Sequence, residues 1–217
     1  MKPPATMEHI VGALEDDIVF GHLAPWQELV EDALIARFDA KRHVVRAAIA
    51  ELVSRGLVFK PRNKSARVKE LSPEEVAWIY EMRMLLSARA IQTIPLPVDA
   101  KALTELKQIQ RAYRAAVKAA NAREIRGWND KFHDKLFSLA PNPLLVEELR
   151  RYTRMTDPIR STGIVDKQWL AHALKEHDEQ IQCLETGDLA RLEKVALSHM
   201  VPVRDRWLAA RAARRIA

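Results

Sequence analysis

Three histidines and one asparagine are the residues of this chain best suited to hold an ion. Asn129 and His133 lie four positions apart in Trp128-Asn129-Asp130-Lys131-Phe132-His133, so a helix places both on one face. His177 stands in Lys175-Glu176-His177-Asp178, and His199 lies in the last long helical segment. Imidazoles from three helices that converge in a bundle interior can bind Zn²⁺ or a similar divalent ion. Such a site leaves open positions for a ligand carboxylate. Spacing alone does not require convergence, because a single helical histidine is more often structural or exposed.

A second chemistry is written between Leu29 and Val68. From Arg37 to Lys69 there are ten basic residues against two acids, Asp39 and Glu51, although the whole chain carries only +6. A local excess of that kind suits a phosphate backbone. Lys41, Arg42 and Arg46 fall on the outer face of one helix, with Arg42 and Arg46 one turn apart and His43 beside them. Arg37 ends the preceding helix, and Lys64 and Arg67 lie on the wing that follows, Lys64 in its polar tip. A recognition helix needs such cations at its amino end, and a wing supplies phosphate or minor-groove contacts. The alternative is a solvated basic face. Which cation reads a base and which only positions the protein is left open by the sequence.

These residues have to be placed by helices. Only six glycines occur in 217 residues, and Ala, Leu, Glu, Lys and Arg are abundant. Apolar spacing predicts helices over about 6–20, 30–37 and 41–54. The second should bury Leu29, Ala33 and Leu34, and the third Val44, Val45, Ala48, Ile49 and Leu52. Gly56 is placed for a left-handed cap, and Leu57 to Val68 reads as a β-hairpin. Ser72-Pro73 opens a second region with helices expected at about 73–92, 99–120, 122–140, 143–156, 167–186 and 188–214, and with a loop from Asp157 to Asp166. The fold expected is mainly α. Residues 1–70 form a winged helix-turn-helix of three helices and a hairpin, and residues 71–217 an all-helical antiparallel bundle. No apolar run approaches the ~20 residues that span a bilayer, and the single cysteine, Cys183, excludes an intramolecular disulfide framework. A cytoplasmic protein is expected.

At these residues the chain resembles the GntR family of bacterial transcription regulators. Leu29-Val30-Glu31, Lys41 to Ile49 and Arg55-Gly56-Leu57-Val58 match the family's pattern in spacing. Lys41 stands where a capping serine is usual, Asp32 where a DNA-contacting arginine is frequent, and Ser65 where the wing carries glycine. The helical region resembles the FCD effector domain of the FadR-type subfamily, in its shorter VanR-like branch. The resemblance rests on Asn129-x-x-Phe132-His133, Glu176-His177, Gly187-Asp188 and His199. It implies a metal set of Asn129, His133, His177 and His199 for one Zn or Ni ion. Asn129 replaces the commoner aspartate, so metal binding is expected to be weakened. Asp130 points about 100° away on the helix and is no substitute. The resemblance also implies that Arg83 faces an effector cavity, where it would hold a carboxylate. The other reading of Arg83 is a salt bridge with Glu81 or another surface acid. Ser87 stands where the family has glutamate. Trp128, Trp169 and Trp207 are candidates for pocket or core.

The function these features imply is a homodimeric, ligand-responsive transcription regulator, a repressor modulated by a small organic acid, with an operator duplex as partner and no membrane. Two other readings exist. His133-Asp134 and His177-Asp178 are His-Asp pairs of the kind found in helical HD-type phosphohydrolases. An architectural DNA binder without an effector would have no cavity in its helical region.

Overall fold

The computed structural model describes residues 5–216, which divide into two compact units between Ser72 and Pro73. In the first unit, helix α1 (Met7–Val19) begins at Thr6, whose side chain accepts the His9 N–H. Strand β1 (Glu28–Leu29) leads into α2 (Glu31–Phe38) and α3 (Arg42–Ser54), and β2 (Val58–Phe59) and β3 (Ala66–Val68) complete the unit. Asp39 closes α2 in the left-handed region at φ 47°, a conformation a short polar side chain tolerates, and this tightens the turn into α3. Gly56 has φ 74°, as its place after α3 demands.

The three strands form one antiparallel sheet in the order β1-β3-β2, with Leu29 opposite Ala66 and Val58 opposite Val68. Strand β1 was not expected. Two residues carry no periodicity, and only the pairing with β3 makes them a strand. Ile10, Leu14, Val45, Ala48, Leu52, Ala66 and Val68 share the core beneath this sheet. Truncating Leu52 to alanine there would cost about 2–5 kcal/mol. Ala33, expected inside, is exposed, because the short α2 fully buries only Leu34, and Val44 of α3 is only partly buried against the core.

The second unit is helical throughout. It consists of α4 (Pro73–Gln92), α5 (Ala100–Lys118), α6 (Ala122–Phe137), α7 (Pro143–Met155), α8 (Asp157–Arg160), one 3₁₀ turn (Ser161–Gly163), α9 (Lys167–Thr186) and α10 (Leu189–Ile216). Asp99, Asn121, Asn142 and Asp166 cap the amino ends of α5, α6, α7 and α9 with side-chain oxygens. Gly187 ends α9 at φ 73°. The expected loop over 157–166 is instead largely α8 and the 3₁₀ turn. The segment is too short to show an apolar stripe, and it is held by buried ion pairs. Leu106, Phe132, Leu136, Leu184 and Leu192 form the main core, and Tyr113, Ala116, Ile125 and Leu170 a second.

Candidate functional site

Helices α6, α9 and α10 bring His133, His177 and His199 together. Each pair of rings has centroids 5.1 Å apart. One ring nitrogen from each lies within 4.8 Å of the other two. His177 is wholly buried and His199 is 6% exposed. Burial holds the imidazoles of His133 and His177 well below the usual histidine range, and the neighbouring histidines add to this. Both are neutral near pH 7, which is the form that binds a metal.

The surrounding hydrogen bonds decide which nitrogens face the centre. Gln110 on α5 donates its amide to the Leu174 carbonyl at 3.0 Å and to Asp178 at 2.9 Å. Its oxygen is therefore left to accept from His177 Nδ1–H at 3.1 Å. The bare Nε2 of His177 is buried and has no protein partner. Glu176 Oε2 likewise accepts from His199 Nδ1–H at 2.6 Å, leaving Nε2 of His199 as the lone-pair nitrogen. Phe132 stacks on His177 with centroids 4.0 Å apart and fixes the ring plane. This donor set fits a divalent ion: three clustered imidazoles, those of His177 and His199 oriented through their Nδ1 atoms, with the orphaned Nε2 of His177 among them. Glu176 entered the sequence reading only as part of the Glu176-His177 motif, without a role, and Gln110 was not singled out, since an α5 glutamine has no recognisable relation to a histidine 67 positions away.

Beside the histidines lies a cavity of about 70 Å³, lined by Arg83, Asn129, His133, His199, Arg160 and Trp169 among others. That is room for roughly five waters at 10–15 Å³ each, or for one compact organic ligand. Arg83 makes no salt bridge to Glu81. It is 6% exposed, donates to Thr156 Oγ1 at 3.0 Å, lies 4.6 Å from the centre of the Tyr80 ring, and leaves Nε unpartnered. Burial lowers its pKa, although a guanidinium remains charged at neutral pH. No carboxylate pairs with it among the described residues. Ser87 also lines the cavity, with an unpartnered hydroxyl.

Asp130 lines the same cavity as Asn129, but its carboxylate is taken by Arg160 at 2.6 Å and Arg126 at 3.8 Å. Burial works against the Arg160 cation, yet Asp130 and Asp157 outweigh it and raise its pKa. Trp169 lies 5.1 Å from His199 and walls the cavity, whereas Trp128 packs in the second core. A Cβ on Gly163 would fall 2.6 Å from Trp169 Cδ1, so the glycine lets the indole close in. The aspartates of both His-Asp pairs turn elsewhere. Asp134 meets Arg150 at 2.9 Å, and Asp178 meets Arg114 at 2.6 Å and reaches His177 only through Gln110, so neither carboxylate joins the histidine centre directly as the phosphohydrolase reading requires.

In the first unit, Lys41, Arg42, His43 and Arg46 are exposed on the amino-terminal half of α3, and Lys64 is exposed beside β3. Lys41 is the N-cap of α3 and makes no capping bond. Acids that the sequence did not suggest as partners meet four of the seven residues expected at the DNA surface. Arg37 pairs with Asp17 at 2.6 Å, Arg42 with Asp32 at 2.6 Å, Arg46 with Glu31 at 2.8 Å, and Arg67 with Glu28 across β1 and β3.

Comparison with known proteins gives these two sites a context. Residues 6–68 match the bacterial regulatory proteins of the gntR family, and residues 78–201 match the FCD domain. The chain is a GntR-family regulator with an FCD domain. As such it is a DNA-binding, ligand-responsive transcription regulator. This GntR regulator is 26% identical over 199 residues to the uncharacterized HTH-type transcriptional regulator YdhC of Bacillus subtilis (strain 168), covering 91% of this chain and 89% of YdhC. It is 21% identical over 193 residues to the HTH-type transcriptional repressor RspR of Escherichia coli (strain K12), covering 89% and 85%. In fold it is similar to a GntR regulator from Rhodococcus sp. RHA1, with TM-score 0.77 and 18% identity over 94% of this chain and 98% of that one. It is also similar to E. coli McbR/YncC, with TM-score 0.73 and 16% identity over 97% and 99%. No helix of the described residues in this GntR regulator is long and apolar enough to cross a membrane.

Proposed function

We propose that this regulator is a cytoplasmic homodimeric repressor whose hold on its operator is set by a small carboxylate bound in the FCD cavity. His133, His177 and His199 hold one divalent ion, zinc or nickel, with the Asn129 oxygen as a fourth and weaker ligand. When bound, such an ion supplies a Lewis-acidic point for an anionic oxygen. Arg83 takes the effector's carboxylate from the other side. Arg37, Lys41, Arg42, His43, Arg46, Lys64 and Arg67 form the DNA-facing surface, and two copies address the half-sites of a two-fold symmetric operator.

One observation carries this reading. A buried, unpartnered imidazole nitrogen and a buried arginine without a carboxylate belong to the same helical core, beside a cavity of ligand size. Both are costly unless something occupies them. An effector acts only through its preference for one arrangement of the dimer over another. The test is operator binding by the zinc-loaded full-length protein, titrated with a panel of short-chain carboxylates. At least one carboxylate is expected to shift the operator Kd, and Arg83→Ala and His177→Ala to abolish that shift while leaving Kd without effector near the wild-type value. A shift that survives both substitutions would place the effector elsewhere.

A further inference from the structure

Two outward-facing arginines of α3 are met by carboxylates from the first turn of α2, but at different edges of the guanidinium. Glu31 Oε2 accepts from Arg46 Nε at 2.8 Å, the shortest contact of that pair, and no other acid among the described residues meets Arg46. Arg42 is held the opposite way. Its Nη2 lies 2.6 Å from Asp32 Oδ1 and its Nη1 3.6 Å from Glu31 Oε2, so carboxylates occupy the fork itself.

Guanine offers O6 and N7 to two parallel donors in the major groove. A guanidinium anchored through Nε keeps its Nη fork free for that contact, and its rotamer is already ordered before DNA arrives. A guanidinium whose fork is closed on two acids must give them up before it can hold a base or a phosphate.

We propose that Glu31 positions Arg46 as the guanine-reading arginine of α3, while Asp32 withholds Arg42 from the backbone and so lowers affinity for arbitrary sequence. The proposal rests on the reading of α3 as the helix that faces DNA. Glu31 suits the role. Its side chain is 21% exposed, it also receives Lys60 at 3.5 Å, and the hydrogen bond from Arg46 holds its pKa below the usual carboxylate range. Asp32, with its side chain 76% exposed, is a weaker restraint that competing phosphate can displace, and it adds negative charge where the duplex must approach. Both acids also sit at the positive end of α2 and favour its first turn.

The experiment is selection of binding sites from a random-sequence duplex library by the full-length protein and by Glu31→Gln, Arg46→Lys, Arg42→Ala and Asp32→Asn, each checked for an unchanged thermal melt. Affinity for one fixed random-sequence duplex is measured in parallel against salt. Wild type is expected to enrich a two-fold motif with a guanine in each half-site. Arg46→Lys, which keeps the charge but not the fork, and Glu31→Gln should both lose that guanine. Asp32→Asn should keep the motif, bind the random duplex about threefold more tightly, and steepen the salt slope by about one per protomer. A guanine preference lost in Arg42→Ala but kept in Arg46→Lys overturns the assignment and leaves the DNA-reading helix in place. Unchanged affinity and slope in Asp32→Asn overturn its role. A wild-type protein that enriches no motif overturns the DNA-facing reading of α3 and this inference with it.

Discussion

The side-chain oxygen of Gln110 lies 3.1 Å from His177 Nδ1, and this contact turns the bare Nε2 of a wholly buried histidine toward its two neighbours. Gln110 can accept there because its amide nitrogen is committed to Leu174 and Asp178. Replacing Gln110 with alanine should leave the fold in place and lower affinity for Zn²⁺ or Co²⁺ by about 10–100-fold, the usual cost of losing an outer-shell partner. Competition against a chromogenic chelator reads this directly, and an unchanged affinity would remove Gln110 from the site.

Asn129 lines the cavity with His133 and His199 and offers only a neutral amide oxygen. Asn129→Asp restores a carboxylate to that place. Metal affinity measured by calorimetry should rise several-fold, and the gain should vanish when combined with His177→Ala. An equal affinity in Asn129→Asp and wild type would mean that position 129 does not ligate.

Gly163 gives Trp169 the space to lie against His199. Gly163→Ala must push the indole or the Val203 side chain aside, an overpacking cost of about 1–3 kcal/mol. Chemical denaturation should show that loss, together with a weakened response to any carboxylate that shifts operator binding in wild type.

Cys183 is 5% exposed in the main core, and burial raises its thiol pKa, with Asp188 and Glu179 adding to the effect. Little thiolate forms at pH 8. An aromatic disulfide reagent should label the native protein slowly and label it fully once denaturant unfolds the second unit. Rapid labelling of the native state would show that the core opens there.

Lys64 is exposed beside β3 and meets no carboxylate among the described residues, unlike Arg67, which pairs with Glu28. Lys64→Ala should weaken binding to cognate and random duplexes alike and lower the salt slope by about one per protomer. A loss confined to the cognate site would make Lys64 a reader of sequence instead.

Much of this molecule was legible in the chain. Helical spacing marked nine of the ten helices among the described residues, because apolar side chains every three or four residues must share one face to be buried. Gly56 and Gly187 marked helix ends because a positive φ favours glycine. The surplus of cations after Arg37 pointed to a phosphate-binding surface, and Asn129-x-x-Phe132-His133 with Glu176-His177 pointed to the histidine centre. These are local properties, written in neighbouring residues. Strand β1, helix α8, the Gln110–His177 contact and the choice between Arg42 and Arg46 are not local. Each depends on partners far apart in sequence, such as Ala66 for Leu29, Asp130 for Arg160 and Glu31 for Arg46, which share no spacing rule with them. The residue types set what chemistry was available, and only the packing of distant segments decided which nitrogen is bare, which arginine lacks an acid and through which nitrogen each guanidinium is held most closely.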